Sequence, residues 1–154
     1  MKFVAPEQAS DTPDIIENTF FWPEINLADF RESMRLDGTV TAPRLRQVVL
    51  TAMAEVNAEL YGFRERQQRL GYALLVDVPA EKLAGQSQRL HHYRNAVMCW
   101  ARAVLNERYQ DFDATASGVK RGEALEDATE DLWRDARWAI SRVQDVPHSI
   151  VELI

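Results

Sequence analysis

The sequence predicts an all-α protein: an antiparallel bundle of about four helices, with an extended N-terminal arm and a short β-prone C-terminal tail. Three observations lead there. Apolar residues recur at helical spacing in two long segments, with Leu45, Val48, Val49, Ala52, Met53, Val56, Leu60 and Phe63 on one face of the first. A third segment, "AVMCWARAVL", is apolar on nearly every side, as the central helix of a bundle must be. The only stretch with strand character is the last one, "HSIVELI", and nothing else in the chain offers it a partner strand.

The boundaries follow from caps and breakers. Residues 1–25 read as an arm, because they carry Pro6, Pro13 and several acids with no apolar period until Phe20, Phe21 and Trp22. Three adjacent aromatics point in different directions in any regular backbone. Either the arm folds back into a crevice or these rings are meant for another molecule. The bundle domain spans 26–146. Asn26 is an N-cap with Asp29 in the capping-box position, so a short helix is expected over 27–36, stopping at Asp37-Gly38. Thr41 caps the second helix, with Pro43 in its first turn, and Gly71 ends it. Pro79 introduces a loop around residue 84. The third helix runs from Ser87 to Tyr109 and carries Arg102, which needs a partner or a route to solvent. A connection over 111–125 leads to the fourth helix, 121–144. That helix is acidic at its start and arginine-rich at its end, as its dipole favours, and its expected apolar face is Leu125, Ala128, Leu132, Ala136, Ala139, Ile140 and Val143. Pro147 closes it, and 147–154 form the tail.

Composition narrows the function. The chain has 154 residues, 46% of them hydrophobic, which suits one domain with a real core. A net charge of −6 argues against tight, sequence-independent binding to a phosphate backbone. Only Lys2, Lys82 and Lys120 are lysines; the other basic residues are arginines, which suggests many Arg–carboxylate contacts. Cys99, the one cysteine, reads as a core residue in a reducing compartment. No apolar run is long enough for a membrane helix and no signal core opens the chain, so cytosolic synthesis is expected.

No catalytic constellation emerges. There is no Gly-rich phosphate loop and no nucleophile elbow. His91 and His92 are adjacent on a helix and should point apart, and no Glu-x-x-His pair exists, so neither metal nor cofactor is expected. Glu55 and Glu59 read as a solvated edge. Trp100, Trp133 and Trp138 read as core or subunit contacts. Lys120 and Arg121, between Gly118 and Gly122, suggest an exposed loop that could touch a polyanion. The two unpartnered ends give the profile of an assembly component, while a small helical enzyme with an unseen site and a module sequestering a basic partner both stay open on the residues alone.

A resemblance decides between these readings. The segments "NTFFWPEIN", "MRLDGTVTAPRLR", "MAEVNAELYGFRE", "LNERY" and "LWRDARWAISR", with a terminal "SIVELI", resemble the head completion proteins of temperate phages with contractile tails. The likeness runs in order from Asn18 to the C-terminus, and Trp22 stands where the family pattern has a third phenylalanine. The resemblance implies a structural protein of the virion, assembled in the host cytoplasm, without enzyme activity. It implies binding beneath the portal protein after DNA packaging, stabilisation of the filled head, and a surface for a tail terminator or other tail-proximal protein. It also implies a homo-oligomeric ring, twelve subunits in related connectors, around packaged double-stranded DNA. On this reading Phe20, Phe21 and Trp22 lock into a neighbouring subunit or the portal. Ile150, Val151, Leu153 and Ile154 add a strand to the portal, and Lys120 and Arg121 line the DNA channel.

Overall fold

A computed structural model describes residues 14–34, 40–108 and 116–146, and for 116–119 the backbone alone. Its architecture is the expected helical bundle. Five helices follow one another: α1 (Leu27–Met34), α2 (Ala42–Glu59), α3 (Tyr61–Arg69), α4 (Gln88–Arg108) and α5 (Ala116–Val143). Two small antiparallel ribbons join them. β1 (Ile15–Ile16) pairs with β2 (Ile25–Asn26), and β3 (Lys82–Leu83) pairs with β4 (Gln86–Ser87).

The caps sit where their side chains dictate. The Asn26 carboxamide oxygen accepts from the amides of Ala28 at 2.9 Å and Asp29 at 3.4 Å, two of the orphan donors that open α1. Thr41 occupies the N-cap of α2, but its hydroxyl makes no capping bond; its carbonyl simply accepts the first helical bond, from Leu45. The expected single helix up to Gly71 is two. Leu60 leaves helical geometry at φ −96°, ψ 8°, and beyond this break Phe63 packs against Trp22 and Phe21. Gly71 does end the run: with φ +98° it lets its own amide bond to Gln68 and that of Tyr72 to Gln67, closing the last turn. Asp145 (φ +56°) closes α5 with the same pair of bonds.

The loop expected at residue 84 is a two-residue hairpin. Ala84 and Gly85 both take positive φ, as the turn that matches strand twist requires. Ser87 then serves as N-cap of α4, its hydroxyl accepting from the Arg89 amide at 3.2 Å.

α4 is the central helix, as its all-round apolar surface demands. It packs on α2 along one side and on α5 along the other. Every residue of the expected α2–α3 face is buried, from Leu45 to Phe63. The α5 face is shorter than expected: Ala136, Ala139, Ile140 and Val143 are buried, whereas Leu125 is half-buried and Ala128 exposed. Trp100 meets Trp133 edge to face at 5.0 Å, and Arg89 donates to the Val143 carbonyl at 2.5 Å. The two helices are therefore antiparallel, with Arg108 about level with Glu126. α5, with 28 residues against 21 in α4, runs two to three turns past the end of its partner.

Arg102 and Arg89 join elements through carbonyls rather than carboxylates. Arg102 donates to the Met34 carbonyl at the C-terminus of α1, where a cation also complements the dipole. Arg89 bonds the carbonyls of Pro79 and Val143 and lies over the Phe63 ring. The ion pairs Arg69–Glu65, Arg134–Asp131 and Arg134–Asp135 are local and exposed, where such pairs contribute little.

Candidate functional site

The aromatic cluster divides. Residues 17–24 loop between β1 and β2, and a turn closes inside that loop when the Trp22 amide bonds the Thr19 carbonyl at 3.0 Å. Phe21 is third in this turn with φ +115°, a backbone state that a bulky residue takes only when its surroundings enforce it. Those surroundings are plain. Phe21 is 1% exposed, and its carbonyl accepts from the Leu75 amide at 2.9 Å. Trp22 is 6% exposed and stacks on Tyr93 at 4.8 Å with the rings 9° from parallel. Phe21 meets the Trp22 edge at 4.7 Å.

The expectation that all three rings serve another molecule is thus corrected for two of them. Phe21 and Trp22 fill a crevice of their own chain between α3 and α4, because the positive φ turns them inward together. Phe20, at the tip of the turn, is 71% exposed. Residues 14–25 accordingly belong to the body, and Ile16 and Ile25 share its core.

Beneath the rings lies a polar cycle that periodicity and motif searching do not reveal. Asn18 donates to the Tyr93 hydroxyl at 2.7 Å, Tyr93 donates to Asn57 at 2.6 Å, and Asn57 donates back to Asn18 at 2.9 Å. Asn18 also bonds the Pro23 carbonyl at 2.9 Å and receives the Thr19 amide at 2.8 Å. Each group both gives and receives, so burial costs no unsatisfied polar atom here. Tyr93 is fully buried; burial pushes its hydroxyl well above the ordinary tyrosine range, against the lowering by Asn18 and Asn57. The one unpartnered buried side-chain polar atom among the described residues is Trp22 Nε1. A phenylalanine at that position would carry no such donor.

The other expected site residues stand apart. Lys120 and Arg121 lie within α5 rather than in a loop, on the part that overhangs α4, and both are exposed. The connection ends at Ala116 because this segment continues the register of α5 despite Gly118 and Gly122. The tail residues Ile150, Val151, Leu153 and Ile154 lie outside the described residues.

Among the described residues no reactive centre assembles. Burial, with Asp135 adding to it, pushes the Cys99 thiol up to about 11, away from a nucleophilic thiolate. The His91 and His92 rings do not point apart; they meet edge to face at 5.4 Å. Among the described residues no three of His, Cys, Asp and Glu gather as a metal site would need. Glu55 and Glu59 are exposed. No described helix is long and apolar enough to cross a membrane.

Two of the clefts along α4 adjoin each other. One, of about 470 Å³, lies between the β1–β2 ribbon, α1 and α4. The other, of about 410 Å³, lies between the β3–β4 hairpin and the first turns of α4. They share Gln86 and Arg94, whose side chains are joined by a 3.1 Å hydrogen bond.

With no chemistry of its own on display, the chain is placed by its relatives. The profile of the phage head completion protein family matches residues 16–154. The chain belongs to that family. It is also 44% identical over 151 residues to the head completion/stabilization protein of Escherichia phage P2, covering 98% of this chain and 89% of that one. No solved structure matches it. Head completion proteins are structural components of the phage rather than enzymes. The match begins at Ile16, the first buried residue described, so the family pattern takes in the whole packed body as well as the tail.

Proposed function

We propose that this protein completes the phage head. It binds the portal vertex after DNA packaging, stabilises the filled capsid and presents a surface to a tail terminator or another tail-proximal protein. The observation that carries this reading is family membership over residues 16–154. On it, the protein resides in the virion at the head–tail junction, having assembled in the host cytoplasm, and forms a homo-oligomeric ring of twelve copies around the DNA channel.

On this reading each part has a role. Phe20 is the contact to a neighbouring subunit or the portal, an exposed ring held on a rigid turn. Phe21 and Trp22 act through it, by fixing that turn. Ile150, Val151, Leu153 and Ile154 add a strand to a sheet edge on the portal. The acidic charge lets packaged DNA slide, since like charge gains nothing from counterion release. Lys120 and Arg121, on the overhanging end of α5, approach the phosphates as a local exception.

Electron microscopy of the protein mixed with portal tests the reading: a ring seated on the portal is expected, and its absence refutes the role. Phe20→Ala is expected to lower attachment at least tenfold with an unchanged melting temperature. Wild-type stabilisation of filled heads by this variant would remove Phe20 from the interface.

A further inference from the structure

α3 gathers positive charge in a chain that is acidic as a whole. From Tyr61 to Leu70 it holds Arg64, Arg66 and Arg69 against one acid, Glu65, which already pairs with Arg69. Two large apolar side chains stand open beside them: Tyr61 is 55% exposed and Leu70 is 70% exposed. Arg64 lies over the Tyr61 ring at 5.2 Å. Arginine and aromatic side chains gathered in this way are enriched where proteins meet.

The overhang of α5 carries the opposite charge. Between Lys120 and Asp131 five acids outnumber two bases, and Glu123, Glu126, Asp127 and Glu130 recur at the spacing that lines one helix face. All four are exposed. The helix dipole does not account for them, because it acts within the first turn and the first turn of α5 holds no acid. Ala124 and Ala128, exposed on the flank of this face, leave room for another helix to approach.

The two faces lie at opposite ends of the molecule. Arg89, near the start of α4, lies over the Phe63 ring of α3, while Arg108, at its end, stands about level with Glu126. From Arg89 to Arg108 α4 rises about 28 Å. One copy cannot join its own two faces across that distance; two copies in line can. Complementary faces at opposite ends join head to tail, the relation that builds rings. A DNA duplex would also meet the arginines, but it would leave the acidic face without an occupant and be opposed by the net charge of −6.

We propose that α3 of one copy docks on the acidic face of α5 in the next copy. Arg64, Arg66 and Arg69 meet the four acids, and Leu70 covers the alanine flank. As the subunit interface of the proposed ring this contact rests on the head-completion reading; the head-to-tail pairing of two free copies does not.

Cysteine pairing between two kinds of full-length copy tests it. In a Cys99→Ala background, Gln68→Cys on α3 is mixed with Ala128→Cys on α5, concentrated at low salt and oxidised with diamide. A disulfide joining unlike copies is expected, by peptide mass mapping, at ten times or more the yield obtained when Ala54→Cys, an exposed site beside Glu55 on α2, replaces Ala128→Cys. Arg66→Glu with Arg69→Glu in the first copy should lower the yield at least fivefold, and Glu126→Arg with Asp127→Arg in the second should restore it. Yield no higher than the control, disulfides mainly between like copies, or a yield indifferent to the charge reversals would each overturn the interface. Absence of the disulfide, with binding of labelled duplex DNA that needs Arg66 and Arg69, would overturn it in favour of a nucleic-acid face. A ring that seats on the portal while its copies fail this test keeps head completion and refutes the interface; a disulfide between copies that do not seat keeps the interface and refutes head completion.

Discussion

The two ends of α4 carry opposite kinds of structure. At its N-terminal half, Tyr93 stacks on Trp22, which also packs against Phe21 and Phe63, and its hydroxyl bonds an asparagine on either side. At its C-terminal end, α5 runs on past it: from Lys120 to Ala128 no side chain is buried, Gly122 falls in the run, and three acids outnumber two basic residues. Buried side chains are concentrated at the first end. The second is a helix whose local sequence barely favours it, and the lesson is that the molecule keeps its packed aromatic cluster and its loosely supported end about a helix length apart.

Breaking the aromatic nest should have the largest effect. Trp22→Ala is expected to cost about 3–5 kcal/mol in urea unfolding, because it removes a buried indole and leaves a cavity under a strained turn. Leu125→Ala, on the half-buried start of α5, should cost under ~1 kcal/mol by the same measurement. Equal losses would mean that the overhang is packed after all. Asn57→Ala comes next, at about 1–3 kcal/mol, since it strands the Tyr93 hydroxyl and the Asn18 carboxamide. Combined with Asn18→Ala it should cost less than the two separately, as members of one cycle do.

Gly122→Ala acts in the other direction, on the weak end. A Cβ there meets nothing within 4 Å, so the variant should gain about 0.5–1 kcal/mol, read as a rise in melting temperature of a few degrees. The smallest effect is a pH dependence near the rigid end. Burial, then His91 and Arg142, holds the His92 imidazole below its ordinary value of 6.5. The unfolded chain then binds the proton more readily than the folded one, so the contribution is present above pH 6.5 and is lost as pH falls below it. His92→Gln should flatten the stability profile below pH 6.5; an unchanged slope would show that other groups set it.

Much of this layout is legible in the residues. The α2 face follows from its 3.6-residue period, the central place of α4 from its lack of a polar side, and the Asn26 and Gly71 boundaries from local backbone chemistry. The break at Leu60 is not, because Leu60 itself continues the apolar pattern and only the need to place Phe63 under Trp22 interrupts the helix. The β3–β4 hairpin is missed because Ala84 is not a residue that advertises positive φ. The split between Phe20 and its two neighbours is missed for the same reason: one positive φ at Phe21 reverses which rings face inward, and that angle is enforced by packing.

By itself, the sequence determined the helical class, the order of most elements, the buried face of α2 and the family, because period, caps and recognisable segments are local properties. Only the tertiary structure decided which of the three aromatics stays exposed, what Arg102 and Arg89 hold, and that Asn18, Asn57 and Tyr93 form one cycle. Those outcomes depend on contacts between residues up to 75 positions apart. No local preference encodes such contacts; they exist once the hydrophobic core has brought three separate elements together.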